Sequence, residues 1–148
     1  MKARELRVGE VFRSPGRTVT ESDVVTFSYV SGDFHPAVSD REWARRKSLF
    51  ERTIAHGLLV MSMSEGLFMR SEVREPESVD FTLGFNNVKF PNAVVRGDTI
   101  CSEFEIIEAR ESRSKPGNYV VTPRAVVRNQ HRQVVCQYDH PMLFVASP

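Results

Sequence analysis

The sequence predicts an α+β domain in which a curved antiparallel sheet wraps a long central helix. Helix signals fill the first half of the chain, and four β-rich segments fill the second. Residues 54–69 form a helical stretch that is apolar around nearly its whole circumference. A helix apolar on all sides is buried on all sides, so the strands that follow must supply its cover.

The elements follow in order. Glu10-Val11-Phe12-Arg13 reads as a short strand between turn signals at Gly9 and Ser14-Pro15-Gly16. Thr20 opens the first helix, forming with Asp23 a shorter relative of the capping box. Val24, Val25, Phe27 and Val30 give it an apolar stripe, and Gly32 closes it. A second helix spans residues 40–47, with Ser39 as N-cap and Glu42 as its reciprocal partner. In the third, Leu58, Leu59, Val60, Met61, Met63, Leu67 and Phe68 surround the axis, while Gly57 and Gly66 permit close approach. Residues 71–78 read as a charged surface crossing. Strands are predicted over 81–90, 99–109, 119–127 and 134–145 from their β-branched and aromatic content. Turns fall at Pro91-Asn92, Arg96-Gly97-Asp98, Lys115-Pro116-Gly117-Asn118 and Asn129-Gln130. Pro123 inside the third strand implies an edge position or a bulge.

Composition narrows the function classes. The 148 residues suit one domain, and 20 basic against 19 acidic side chains leave no field for nucleic acid or an anionic membrane. No stretch approaches the ~18 apolar residues of a membrane span, and no apolar run follows the N-terminal residues as a secretory signal requires. Cys101 and Cys136 lack metal-ligand spacing and read as reduced structural cysteines of a cytoplasmic protein; the four histidines are scattered. Neither a metal nor a cofactor is expected. Arg45-Arg46-Lys47 reads as a solvated helix face or as a contact for a phosphorylated substrate tail.

Two segments carry the chemistry: Ser31-Gly32-Asp33-Phe34-His35-Pro36 and Ala55-His56-Gly57-Leu58. Together they set an acid and an imidazole near the start of the buried helix. Unpaired N–H groups and partial positive charge at a helix N-terminus stabilise an oxyanion. Chemistry on a carbonyl whose oxygen gains negative charge fits that setting.

With these segments, Arg17-Thr18-Val19-Thr20, Gly97-Asp98-Thr99-Ile100, Ser114-Lys115-Pro116-Gly117 and Asn129-Gln130, the chain resembles the MaoC-like hydratases and dehydratases over nearly its whole length. The resemblance implies a hot-dog fold, a homodimer or dimer of dimers, and a substrate that is an acyl thioester of coenzyme A or acyl carrier protein. It also implies that Asp33 is the catalytic acid–base group and that the Gly57 amide belongs to the oxyanion hole. Phe34, His56 and Leu58 flank these groups and are assigned to substrate contact. The family loop reads Asp, any residue, Asn or His, Pro, any residue, His; here the final histidine is replaced by Val38. Valine carries no proton, leaving three readings open. His35 supplies the imidazole, since Pro36 favours an extended His35 that shares a face with Asp33; or Asp33 works alone; or the site binds a thioester without hydrating it.

Other candidates weigh less. His56, alone at a helix start, has the default role of bonding a neighbouring loop. Glu65, charged in the middle of the buried helix, admits a thioesterase reading, but lies about 12 Å along the axis from Gly57 at ~1.5 Å per residue. A partner across a subunit interface is the expectation for it. Ser62 and Ser64 bond back to the helix or pack at an interface. Asp98 reads as a turn residue, Trp43 as packing, and Arg113 and Lys115 as a possible phosphate contact at a hairpin tip.

Overall fold

The computed structural model describes residues 5–71 and 79–145, so all but the first residue of the expected surface crossing lies outside the described residues. Two short strands, β1 (Val11–Arg13) and β2 (Arg17–Thr18), precede helix α1 (Glu21–Ser31). The capping box forms as its residues dictate: the Thr20 hydroxyl accepts from the Asp23 amide, and the Asp23 carboxylate accepts from the Thr20 amide at 2.8 Å. Gly32, at φ 76°, ends the helix and donates its N–H to the Ser28 carbonyl.

Pro36 then starts a single turn, α2 (Pro36–Ser39), followed by α3 (Arg41–Lys47). The N-cap of α3 is Asp40, whose carboxylate accepts from the Trp43 amide at 2.8 Å, not the expected Ser39. Ser39 belongs to α2, and its hydroxyl donates back to the Phe34 and His35 carbonyls. The central helix α4 (Gly57–Met69) starts three residues later than expected. Ile54 is extended and bridged to Val95, and the Ala55 N–H donates to the Val94 carbonyl.

The remaining strands are β3 (Val79–Thr82), β4 (Asn86–Lys89), β5 (Thr99–Glu111), β6 (Tyr119–Arg128), β7 (Val134–Asp139) and β8 (Met142–Val145). All pairings are antiparallel: β1 and β2 share β5, β5 pairs β6, β6 carries β7 and β8, and these pair β4 and β3. Two predicted strands are thus broken. The stretch 81–90 divides around Gly84, at φ 154°, and 134–145 divides at His140-Pro141. Pro123 marks a bulge rather than an edge. It faces Ile106, next to the extra residue Ile107 in β5, while its carbonyl accepts from the His140 amide at 2.9 Å.

The concave face of the sheet and the inner face of α4 enclose one apolar core. Phe68 and Phe104 meet edge-on at 5.0 Å, both 1% exposed. Tyr138 donates to Ser64 Oγ at 2.8 Å, and Ser64 Oγ lies 2.9 Å from Ser102 Oγ, so one polar chain ties α4 to β7 and β5. Burial, and then the Glu65 charge, push the Tyr138 hydroxyl well above its ordinary value. The same causes push the Cys136 thiol up to about 12; Cys101 is exposed.

The expectation that α4 is buried on every side is corrected. Leu58, Ser62, Gly66 and Met69 recur at helical spacing and form an exposed stripe, because one curved sheet cannot reach the far side of the helix. Val79, Phe81, Leu83, Phe85, Val88 and Phe90, on and around β3 and β4, are also exposed apolar side chains.

Asp139 anchors the β6–β7 pair. Arg124 reaches both of its carboxylate oxygens, at 2.7 and 3.1 Å, and Asn87 adds a third bond. The Arg124 hydrogen bond outweighs desolvation and holds the Asp139 carboxyl below its ordinary value. A depressed carboxyl stabilises the fold above its unfolded pKa of about 4, and that contribution is lost as pH falls through the folded value. Asp139→Asn is expected to cost about 1–3 kcal/mol at pH 7. The gap from the parent protein should narrow at pH 3, read as denaturant midpoints at the two pH values.

Candidate active site

The loop after α1 and the start of α4 meet through His56. Its Nε2 lies 3.1 Å from the Asp33 carbonyl oxygen, 3.4 Å from Ser28 Oγ and 3.9 Å from Asp33 Oδ2. A carbonyl only accepts, so the imidazole proton sits on Nε2 in this arrangement. The ring is 5% exposed and packs against Phe27 at 5.0 Å, and its buried Nδ1 has no hydrogen-bond partner among the described residues. His56 therefore does bond a neighbouring loop, and that loop is the one bearing Asp33.

Asp33 and His35 are joined through the backbone rather than through their side chains. The His35 amide donates to Asp33 Oδ1 at 3.0 Å. Pro36 holds His35 extended, at φ −51° and ψ 138°, as the sequence implies. Its Nδ1 accepts from the Ala37 amide at 3.1 Å, capping α2, and its ring meets Trp43 edge-on at 5.5 Å. Nδ1 is thus an acceptor, leaving the proton on Nε2. Asp33 keeps 54% of its side chain exposed. Val38 points the other way: it is 8% exposed and belongs to the main apolar cluster.

Among the described residues no side chain caps α4, and the N–H groups that a first helical turn leaves unpaired have no side-chain partner there. Gly57 lines a cleft of about 280 Å³ whose walls include Phe50, Ile54, Val60, Phe90 and Val94. A Cβ on Gly57 would lie 3.1 Å from the Phe90 ring, so glycine is what lets that ring rest against the helix start. Asp33 is not part of the wall. Nor are Phe34, His56 and Leu58: Phe34 is half exposed and edge-on to Tyr29, and Leu58 is 62% exposed on the outer stripe. Phe50 and Phe90 are the wall residues that the sequence reading did not pick out. Only the small residue at 57 hinted that something presses on the helix start.

Glu65 has a partner within its own chain, His140. Its Oε2 lies 2.8 Å from His140 Nδ1, off the line a hydrogen bond would need, while His140 Nε2 is 3.1 Å from Thr82 Oγ1. Phe85 stacks on the His140 ring at 4.3 Å. Ser62 bonds back to the Leu58 carbonyl, and Asp98 holds its own turn by accepting from the Val95 amide and Gln130.

A family model described as a MaoC-like domain matches residues 4–129. The chain belongs to the MaoC-like family. This MaoC-like chain is 36% identical over 96 residues to protein MaoC of Klebsiella aerogenes, a match covering 65% of the chain but only 28% of that much longer protein. It is 30% identical to the (R)-specific enoyl-CoA hydratase of Aeromonas caviae, covering 86% of the chain and 98% of the hydratase. Among solved structures, a protein from Archaeoglobus fulgidus titled monoamine oxidase regulatory protein superposes with a TM-score of 0.86. The two are 31% identical, over 100% of this chain and 96% of that one. A Mycobacterium tuberculosis protein with a double hot-dog fold superposes with a TM-score of 0.81 at 20% identity, over 99% of this chain and 44% of that one. The MaoC-like chain therefore has the hot-dog fold, and its α+β class stands as read from the sequence.

Proposed function

We propose that this MaoC-like domain is a hydratase or dehydratase of 2-enoyl and 3-hydroxyacyl thioesters carried by coenzyme A or an acyl carrier protein. The observation that supports it is His56, which ties the Asp33 loop to the helix start where the Gly57 amide is available. The A. caviae relative, matched over nearly its full length, is named for that reaction.

In the hydration direction, Asp33 takes a proton from water as the new C–O bond forms at the β-carbon. The double-bond pair moves onto the α-carbon and thioester carbonyl, whose oxygen gains charge against the Gly57 N–H. A proton then reaches the α-carbon, and dehydration is the reverse. Asp33, protonated when it takes the water proton, is the group that can return one to the α-carbon. His35, with Nδ1 held as an acceptor by the Ala37 amide, is assigned to hydrogen-bond the reacting water through Nε2–H without giving that proton up. Val38 supports a second reading, an acyl-thioester binding protein without turnover, since an apolar side chain in the core replaces the family's imidazole.

Crotonyl-coenzyme A separates the readings. Loss of enoyl absorbance without free thiol is the expected result. Thiol release would instead favour a thioesterase using Glu65, and binding with neither signal would favour the binding protein. His35→Ala is expected to abolish hydration; an unchanged rate would remove His35 from the mechanism. The exposed apolar surface along α4, β3 and β4 supports a homodimer, for which light scattering should give twice 16.9 kDa. A monomer at micromolar concentration would overturn that assignment.

A further inference from the structure

An open cleft of about 480 Å³ lies beside the Gly57 cleft, and four arginines line it. Arg41 and Arg45 come from α3, Arg52 from the segment after it, and Arg96 from the turn before β5. Three carboxylates, Glu21, Glu42 and Glu51, share the walls. Arg96 is 15% exposed and donates to Thr53 Oγ1 and to Glu21; Arg41 also donates to Glu21, at 2.7 Å. Arg45 pairs with Glu42 at 3.1 Å. Arg52 has no ion pair or hydrogen bond among the described residues. One carboxylate thus serves two guanidinium groups, and the Arg52 guanidinium is without a partner among the described residues.

A solvated helix face would present its charges outward from one helix. Here they converge from three segments on one hollow, whereas Arg46, next in the same basic run, bonds its own helix carbonyl at Glu42. The hollow also adjoins the candidate active site. Thr53 and Val95 line it, while Ile54, Ala55, Gly57 and Val94 line the apolar cleft, and Ile54 is bridged to Val95. Thr53 is four residues from Gly57, at most about 14 Å of extended chain.

We propose that this arginine cleft holds the phosphate groups of the carrier whose thioester carbonyl reaches Gly57. The assignment rests on the acyl-thioester reading and adds the end of the substrate that the apolar cleft cannot recognise. Exposed Arg–carboxylate pairs such as Arg41–Glu21 and Arg45–Glu42 contribute little. A phosphate, with up to two charges and three strong acceptor oxygens, outcompetes a shared carboxylate for forked guanidinium donors. Until it arrives, Glu21 and Glu42 pair with these side chains in the cleft wall. Either coenzyme A or the phosphopantetheine arm of a carrier protein could bring the phosphate.

The test measures binding by calorimetry with 3′,5′-ADP and, separately, with 4′-phosphopantetheine, probes that need no turnover. Binding of either to the parent protein, weakening with added salt, is expected. Binding of 3′,5′-ADP marks coenzyme A as the source; binding of 4′-phosphopantetheine alone marks the carrier arm. Arg45→Ala and Arg52→Ala should each raise Kd about tenfold, the usual size for a lost charge-assisted bond. Melting temperatures near the parent value would show the variants folded. Failure of both probes to bind below 10 mM, or equal binding by folded variants, would overturn the proposal. Hydration of crotonyl-pantetheine, which carries no phosphate, tests the hydratase reading separately. Turnover there with no probe binding removes the arginine cleft alone, and probe binding with no turnover removes the hydratase alone.

Discussion

Asp33→Asn is expected to lower hydration of crotonyl-coenzyme A by roughly 10²–10⁴-fold, the usual contribution of a positioned acid or base. The substitution keeps the side chain's shape, and an amide oxygen can still accept from the His35 amide as Asp33 Oδ1 does. The approach of His56 Nε2 to the Asp33 backbone carbonyl is untouched. What is lost is the capacity to take a proton from water. The loss should therefore fall on kcat more than on KM, with the melting temperature close to that of the parent. A variant that keeps more than about a tenth of the parent kcat would exclude Asp33 as the base.

Phe68→Ala should give the largest loss of stability, about 3–5 kcal/mol by denaturant unfolding. Phe68 is 1% exposed on the inner face of α4 and stands edge-on to Phe104 of the sheet. Removing the ring forfeits its transfer from water and its aromatic contact, and leaves a void between helix and sheet. Met69, the next residue but 45% exposed on the outer stripe, is the internal control. A Phe68→Ala cost below about 1 kcal/mol would mean that the core collapses onto the gap.

The α+β architecture was legible because it rests on local signals. Thr20 and Asp23 specify a helix start by side-chain chemistry alone, and Gly32 supplies a left-handed end that few other residues accept. The break at Pro123 could be foreseen but not its kind, since a missing amide reads the same at an edge and at a bulge. The cap of α3 was displaced by one residue because Ser39 and Asp40 are both good caps; the turn begun at Pro36 takes Ser39 first. At the site, the acid and the helix glycine were legible as residue types, and Pro36 gave the extended His35. Which imidazole faces Asp33 was not, because His35 turns to cap α2 through the Ala37 amide while His56, 23 residues beyond Asp33, is brought beside it by the fold. The walls of the Gly57 cleft come from Phe50 and Phe90, distant in sequence and without any pattern linking them to residue 57.

The bulge at Ile107 and the corner at His140-Pro141 flank the same residue, Pro123, from opposite sides. The sheet thus has a crease written into its covalent chain, where a pyrrolidine ring denies the ladder a donor. Curvature of that kind does not depend on the helix filling the hollow. A wall bent by its own backbone cannot flatten or sag when the filling shrinks, which puts the Phe68→Ala void at the unrelaxed end of its range.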